Sequence, residues 1–386
     1  MTIVFVLLTY GPDEPAGIER SIAALVYGLR AHGHQAHVLA AGPVTAADHP
    51  EIIRLRSLVL PHPATEEDLL AAVANAPGLA SEVTGILAET NAELVCWTDA
   101  TWGLGYLAPH PGIATALMAR VLRTDTYLHQ ALAHHPNHIL TTSEFLLHQA
   151  AAAGLDTRGW QAIPNALLTS GTPPSPPIRE ELRRRGPVRI VARAEPHKGI
   201  AELITACPRD LSRDVDIVLA SAGFEYWPGM QREMITACQR LADDHPRVRL
   251  HPALPWHGVQ PFLSGASCTV IASTSPETFC NTALEALSVA TPVVTFDLGH
   301  VPTLMGDAGT VVPLAHGAHG LWQAVTDLLN NPHRYRCASQ AGPTRAAGHQ
   351  PQAVAQRFLT ALGHQPATSP STARSRQTTP STGGKS

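Results

Sequence analysis

The chain has 386 residues, 44% of them hydrophobic and 15% charged, with a formal net charge of -4. That length exceeds what one ordinary core fills and suits two domains of about 150 to 200 residues each, and the mildly acidic balance argues against a nucleic-acid or membrane-hugging basic surface. The six cysteines include no pair at CxxC spacing and read as reduced thiols of a cytoplasmic protein, and no stretch reaches the ~20 apolar residues of a spanning helix.

Taken in chain order, Ile3 to Leu8 has neither a basic leader nor a cleavage site and reads as a first buried strand. A helix over Gly17 to Ala31, a strand over Gln35 to Ala40, a helix over Glu66 to Glu89 and a strand over Glu93 to Trp97 follow. Strands at Val121 to Arg123 and His138 to Thr141 and a helix from Ser143 to Ala153 complete the first half. Alternation with short connections predicts βαβ units on a parallel sheet. TSGTPPSPP, starting at Thr169, reads as a linker that makes neither helix nor sheet. RRRG at Arg183 to Gly186 reads as a solvated helix end.

The alternation resumes with strands near Val188 to Ala192, Val215 to Ala220, Val248 to His251, Cys268 to Ala272 and Pro292 to Phe296. The expected organisation is a first α/β domain over 1–168, a linker over 169–186, a second α/β domain over 187–348 and a helix over 349–366 that braces the first domain. The tail over 367–386 has almost nothing to bury and is expected to be disordered.

Lysine occurs only twice, at Lys198 and in the terminal GGKS, while arginine supplies every other long-chain cation. A compact ammonium retained against that bias fits a phosphate in a tight site. Lys198 lies five residues beyond Arg193, where a strand end delivers both cations to one loop. Glu277 and Glu285 stand eight apart around a helix start near Cys280 or Asn281. Ligands of open α/β sheets sit beyond the carboxyl ends of the strands, and backbone N–H groups at such a helix start hold phosphate. Glu285 is placed to take a ribose hydroxyl pair, and Glu277 to take sugar hydroxyls.

Pro276-Glu277-x7-Glu285, with Arg193 and Lys198-Gly199, resembles the retaining glycosyltransferases of family 4, which have the GT-B fold: two Rossmann-like doubly wound domains facing a central cleft. Further residues carry the resemblance in order. Gly17-Ile18-Glu19-Arg20 looks like that family's glycine loop after the first strand, and RAHGH, Arg30 to His34, like the end of its first helix. Ser143 and IPNA at Ile163 to Ala166 resemble the close of its first domain, Gly223 its fourth-strand glycine, and Gly299 its glycine loop facing the donor sugar.

The resemblance implies a metal-independent transfer from a nucleotide diphosphate sugar, with no cofactor and with retention at the anomeric carbon. Arg193, Lys198 and Glu277 would serve catalysis, and Gly17, Gly223, Phe279, Cys280, Asn281, Glu285 and Gly299 would surround the donor. Catalysis then consists mostly in stabilising the departing diphosphate. The chain departs from the family where a first-domain histidine is common. CWTDATW and VLRTDTYLHQ put Asp99, Trp102 and Asp125 on the acceptor side, with His129 as a substitute imidazole. Carboxylates there point to a cationic acceptor such as an amino or guanidino cyclitol or aminosugar. With the Arg-, Ala- and Pro-rich composition, they also point to natural-product tailoring of the aminoglycoside kind. A cell-envelope glycolipid or a small thiol precursor is the alternative acceptor. Thr278 and Cys280 flank Phe279 where glycines are common in the family.

Blander readings compete at several places. An aspartate after a strand is a common helix cap, which covers Asp99 and Asp125. The histidines at 129, 134, 135 and 138 lack a helical pair with a supporting acid, so no metal is expected there. Asp214-Val-Asp216 precedes a strand and reads as a strand-entry turn. A nicotinamide enzyme is disfavoured because TYGPDEPAG follows the first strand in place of G-x-G-x-x-G. A catalytically silent sugar-nucleotide binder is the reading from another class.

Overall fold

The structure, a computed structural model, describes residues 1–11, 14–42, 49–98 and 112–364. Asp99, Trp102 and the tail over 367–386 lie outside the described residues.

The first sheet is built from β1 (Thr2–Thr9), β2 (Gln35–Ala41), β3 (Ile52–Arg54), β4 (Leu94–Thr98), β5 (Ala114–Ala119), β6 (His138–Thr141) and β7 (Gln161–Ala162). Its strands run in the order β3-β2-β1-β4-β5-β6-β7, all parallel. Helices α1 (Gly17–Ala31), α2 (Glu66–Ala74), α3 (Leu79–Glu89), α4 (Thr126–Ala133) and α5 (Glu144–Ala152) connect them. β1 is buried on both faces, as a central parallel strand must be.

A helix, α6 (Pro176–Arg185), leads into the second sheet, whose strands are β8 (Val188–Arg193), β9 (Val215–Ala220), β10 (Val248–His251), β11 (Cys268–Ile271), β12 (Val293–Phe296) and β13 (Gly309–Val312). Their order is β10-β9-β8-β11-β12-β13, again all parallel. Between and after them run α7 (Ile200–Thr205), α8 (Met230–Asp243), α9 (Trp256–Ser264), α10 (Asn281–Ser288), α11 (Val301–Met305), α12 (Gly317–Asn330), α13 (Pro332–Ala347) and α14 (Pro351–Ala361).

Both sheets reverse winding direction beside their first strand, between β1 and β4 and between β8 and β11. Such switch points open a crevice at the carboxyl ends of the strands. The last helix, α14, returns to the first sheet: Val354, Ala355, Phe358 and Leu359 join the core of Ile3, Phe5, Ile22 and Leu29. Phe358 lies 5.8 Å from the Phe5 ring. Gly28 lets the backbones of α1 and α14 meet, because a Cβ there would fall 2.1 Å from the Pro351 carbonyl oxygen.

Several elements differ from the sequence expectation. The single helix over Glu66 to Glu89 is two, broken across Asn75 to Gly78, because Pro77 cannot continue α2 and Gly78 caps α3 instead. Val121 to Arg123 is not a strand; the strand lies earlier, at Ala114–Ala119, and its mostly small side chains hid it. The proline-rich linker makes neither helix nor strand over 169–175, but its last two residues, Pro176 and Pro177, open a helix, at first positions where no donor is needed. Arg185 does end that helix, while Arg179 is buried against the carbonyls of Ser264, Ala266 and Val289. Strands β3, β7 and β13 were not anticipated, each being two to four residues long.

Among the described residues no single helix is long and apolar enough to cross a membrane. All six cysteines are free.

Candidate active site

A cavity of about 670 Å³ lies between the domains, at both switch points. Arg193 ends β8, and the short helical turn Pro196–Lys198 follows it. Gly199, at φ 66°, lets the chain turn from Lys198 into α7 at a place where a Cβ would lie 2.3 Å from the Ala272 carbonyl oxygen. That turn brings Lys198 beside the loop after β11, and its Nζ donates to Glu277 Oε1 at 2.6 Å. Ser273 Oγ donates to the same oxygen at 2.5 Å. Burial pushes the Glu277 carboxyl up, but Lys198, Ser273 and Arg193 outweigh it and hold the group below the usual carboxylate range. Glu277 is therefore an anion at neutral pH.

Arg193 pairs with the buried Glu195 at 3.0 Å, and His197 approaches the other Glu195 oxygen at 3.2 Å. Burial and the neighbouring Lys198 lower the His197 pKa, so the ring is neutral at neutral pH. Arg193, His197, Lys198 and Glu277 all line the cavity.

Gly223, Phe279, Cys280 and Asn281 line it as well, and so does Gly17 from the first domain. α10 starts at Asn281 behind Cys280, which provides no side-chain cap and sits at φ 77°, a conformation natural to glycine. The chain holds a cysteine in a left-handed turn where a glycine would be unstrained. Burial pushes its thiol up to about 12, so it is not a nucleophile at neutral pH.

Gly299 and Glu285 do not line the cavity. Gly299, at φ 72°, packs behind Glu277: a Cβ there would lie 2.5 Å from the Glu277 nitrogen. The next residue, His300, donates its backbone N–H to the Glu277 carbonyl at 2.8 Å and stacks on Phe279. Glu285 is buried in α10 and paired with Arg20 of α1 at 3.2 Å.

The first domain contributes residues that sequence reasoning passed over. Arg20, Arg120, Arg123 and Asn165 line the cavity. Arg120 Nη1 donates to Asn165 Oδ1 at 2.7 Å, Asn165 Nδ2 to Asn281 Oδ1 at 2.8 Å, and Asn281 Nδ2 to the Gly17 carbonyl at 2.9 Å. This relay stitches the domains across the cavity floor. Ser143 Oγ caps α5 and also donates to the Thr278 carbonyl at 2.6 Å. The GIER and IPNA segments held the signal for Arg20 and Asn165, but only as backbone landmarks. Tyr226, half-exposed and braced edge-on by Phe224 at 5.4 Å, is a further wall residue that no spacing announced.

Two acceptor-side expectations are corrected. Asp125 does not line the cavity: its side chain caps α4 by accepting from the Leu128 N–H at 3.0 Å and faces Arg123 at 3.4 Å. His129 lies one turn along that helix, exposed and away from the cavity. Asp214 faces Arg247 and Arg249, and Asp216 faces Arg189 and His251, so each aspartate of the DxD-like pair is already engaged by cations.

Residues 188–331 match the family described as glycosyl transferases group 1. The alpha-maltose-1-phosphate synthase of Mycolicibacterium smegmatis is 33% identical over 167 residues, which is 41% of this chain and 42% of that protein. The chain thus matches less than half the length of that curated relative. In structure it resembles the sucrose-phosphate synthase from Thermosynechococcus elongatus, with a TM-score of 0.74 at 17% identity over 94% of this chain and 98% of that one. It also resembles Anabaena Alr3699/HepE in complex with UDP and glucose, with a TM-score of 0.72 at 16% identity over 94% and 99%. The architecture is the GT-B fold of glycosyltransferases, two parallel-sheet α/β domains around a cleft. Within it, the match to the glycosyl transferases group 1 falls on the second domain.

Proposed function

We propose that this protein transfers a sugar from a nucleotide diphosphate sugar to a hydroxyl of a small polar acceptor, with retention and without a metal. The observation that carries the reading is the convergence of Arg193, Lys198, Glu277 and the uncapped start of α10 on one interdomain cavity. Two fixed cations and free helix N–H groups match a diphosphate, whose charge grows as the glycosyl bond breaks. Lys198 and Arg193 then stabilise the leaving group, and Glu277, anionic and tethered by Ser273, accepts from donor sugar hydroxyls. The acceptor hydroxyl approaches the anomeric carbon from the same face and passes its proton to the departing phosphate.

A cationic acceptor, as in aminoglycoside-type biosynthesis, rests on Asp99 now that Asp125 is accounted for as a cap. A second reading is favoured by the Arg20, Arg120 and Arg123 side chains that the first domain turns toward the cavity. Arginines suit an acceptor bearing a phosphate, and two of the relatives are named as synthases of phosphorylated sugars. Incubation with UDP-, GDP-, ADP- and dTDP-sugars, each with an aminocyclitol and with a hexose phosphate, separates the two. Product NMR then reads the anomeric configuration, and an inverted product contradicts the mechanism.

A further inference from the structure

The interdomain pair of Arg20 and Glu285 goes beyond the donor clamp. Glu19 accepts from Thr9 Oγ1 at 2.6 Å and from the Gly11 N–H at 2.7 Å, which fixes the first turn of α1. Gly17 and Arg20, three apart, share one face of that helix, and Asn281 and Glu285, four apart, share one face of α10. The two faces meet twice: Asn281 Nδ2 on the Gly17 carbonyl at 2.9 Å and Arg20 Nη1 on Glu285 Oε1 at 3.2 Å. The Arg20 and Glu285 side chains are only 13% and 8% exposed. Glu285 Oε2 is buried without a hydrogen-bond partner among the described residues.

We infer that Arg20 is a positioning residue for Glu285, so that the first domain completes the nucleotide site of the second. The inference rests on the reading of the cavity as a nucleotide diphosphate site, with Glu285 on the ribose. A carboxylate accepts strongly from a hydroxyl only while ionised, and a buried one without a cation takes up a proton. Burial raises the Glu285 pKa and Arg20 opposes the rise; the Cys280 thiol, neutral, is the other titratable group facing it. Arg20 lines the cavity and occupies Oε1, and Oε2, buried without a protein partner among the described residues, is the oxygen left for a ligand hydroxyl. Ribose recognition is therefore available only when the domains are together.

The test measures affinity of the full chain for UDP, GDP and ADP against their 2′,3′-dideoxy counterparts. The wild type is expected to prefer the ribonucleotide by about 10-fold or more, as for a hydroxyl bonded to a charged group. Arg20→Met should abolish that preference to the extent that Glu285→Ala does, while affinity for the dideoxy form changes little. Loss in Glu285→Ala but retention in Arg20→Met overturns the inference and keeps the ribose assignment. Retention in Glu285→Ala overturns the assignment itself. Should Arg20→Met unfold, adding Glu285→Gln removes the stranded charge and is expected to restore folding. A double variant no more stable than Arg20→Met contradicts the pairing.

Discussion

Lys198 Nζ sits 2.6 Å from Glu277 Oε1, joining residues 79 positions apart and linking the loops after β8 and β11 at the switch point of the second sheet. The lysine holds Glu277 in the free protein, and in the proposed reaction it would also meet the leaving diphosphate.

Lys198→Ala is expected to cut turnover by ~100-fold or more, the scale for removing a preorganised charge from a leaving group. Because Glu277 then loses its closest cation, stability should also fall, by about 1–2 kcal/mol for a partly exposed pair. Steady-state kinetics and urea titration read both effects. The depressed Glu277 pKa stabilises the fold above its unfolded value and is lost as pH falls through the folded one, and the variant should lose this acid-side contribution.

His300 gives a second pH dependence. Burial, then the neighbouring His349, lowers its pKa to about 4. The unfolded chain binds this proton near pH 6.5, so stability should fall on acidification from about 6.5 to about 4. After allowance for its partial exposure the loss is roughly 1–2 kcal/mol. His300→Gln should flatten that part of the profile in denaturant midpoints taken across the window; an unchanged slope contradicts it.

Gly299→Ala combines a left-handed backbone with a Cβ 2.5 Å from the Glu277 nitrogen. The backbone alone costs about 1–2 kcal/mol, and relief of the clash displaces Glu277. The expected signature is a lowered melting temperature together with a raised donor KM.

Asp125→Asn should leave acceptor KM and stability almost unchanged, because asparagine caps a helix as well as aspartate does. Asp99→Asn is the discriminating substitution. A cationic acceptor held there should lose ~1–3 kcal/mol of binding, whereas a phosphorylated acceptor should bind no worse.

Much of this was legible in the sequence. Val215 to Ala220 appears as a strand at the same residues, because buried parallel strands are largely hydrophobic segments, and the edge strand Val248 to His251 does so through its alternation of Val and Leu with Arg and His. That Arg193, Lys198 and Glu277 meet at one cavity was legible because they stand at or just after the carboxyl ends of β8 and β11, which are neighbours in the sheet. What was not legible depends on side chains meeting across the domains. Nothing in the spacing of Arg20 from Glu285, or of Asn165 from Asn281, reveals which faces the two domains turn to each other. Asp125 misled for the opposite reason: local capping explained it without any ligand.

The most direct test of the central claim is the melting temperature of the wild type and Lys198→Ala with UDP, GDP, ADP and dTDP. A nucleotide at about 100 times its Kd adds about 2.7 kcal/mol to the native state. The account predicts that at least one of the four raises the wild-type midpoint by several degrees and that most of the rise is lost in Lys198→Ala. Four nucleotides that leave the wild type unmoved, or a rise that survives the loss of Lys198 intact, would contradict it.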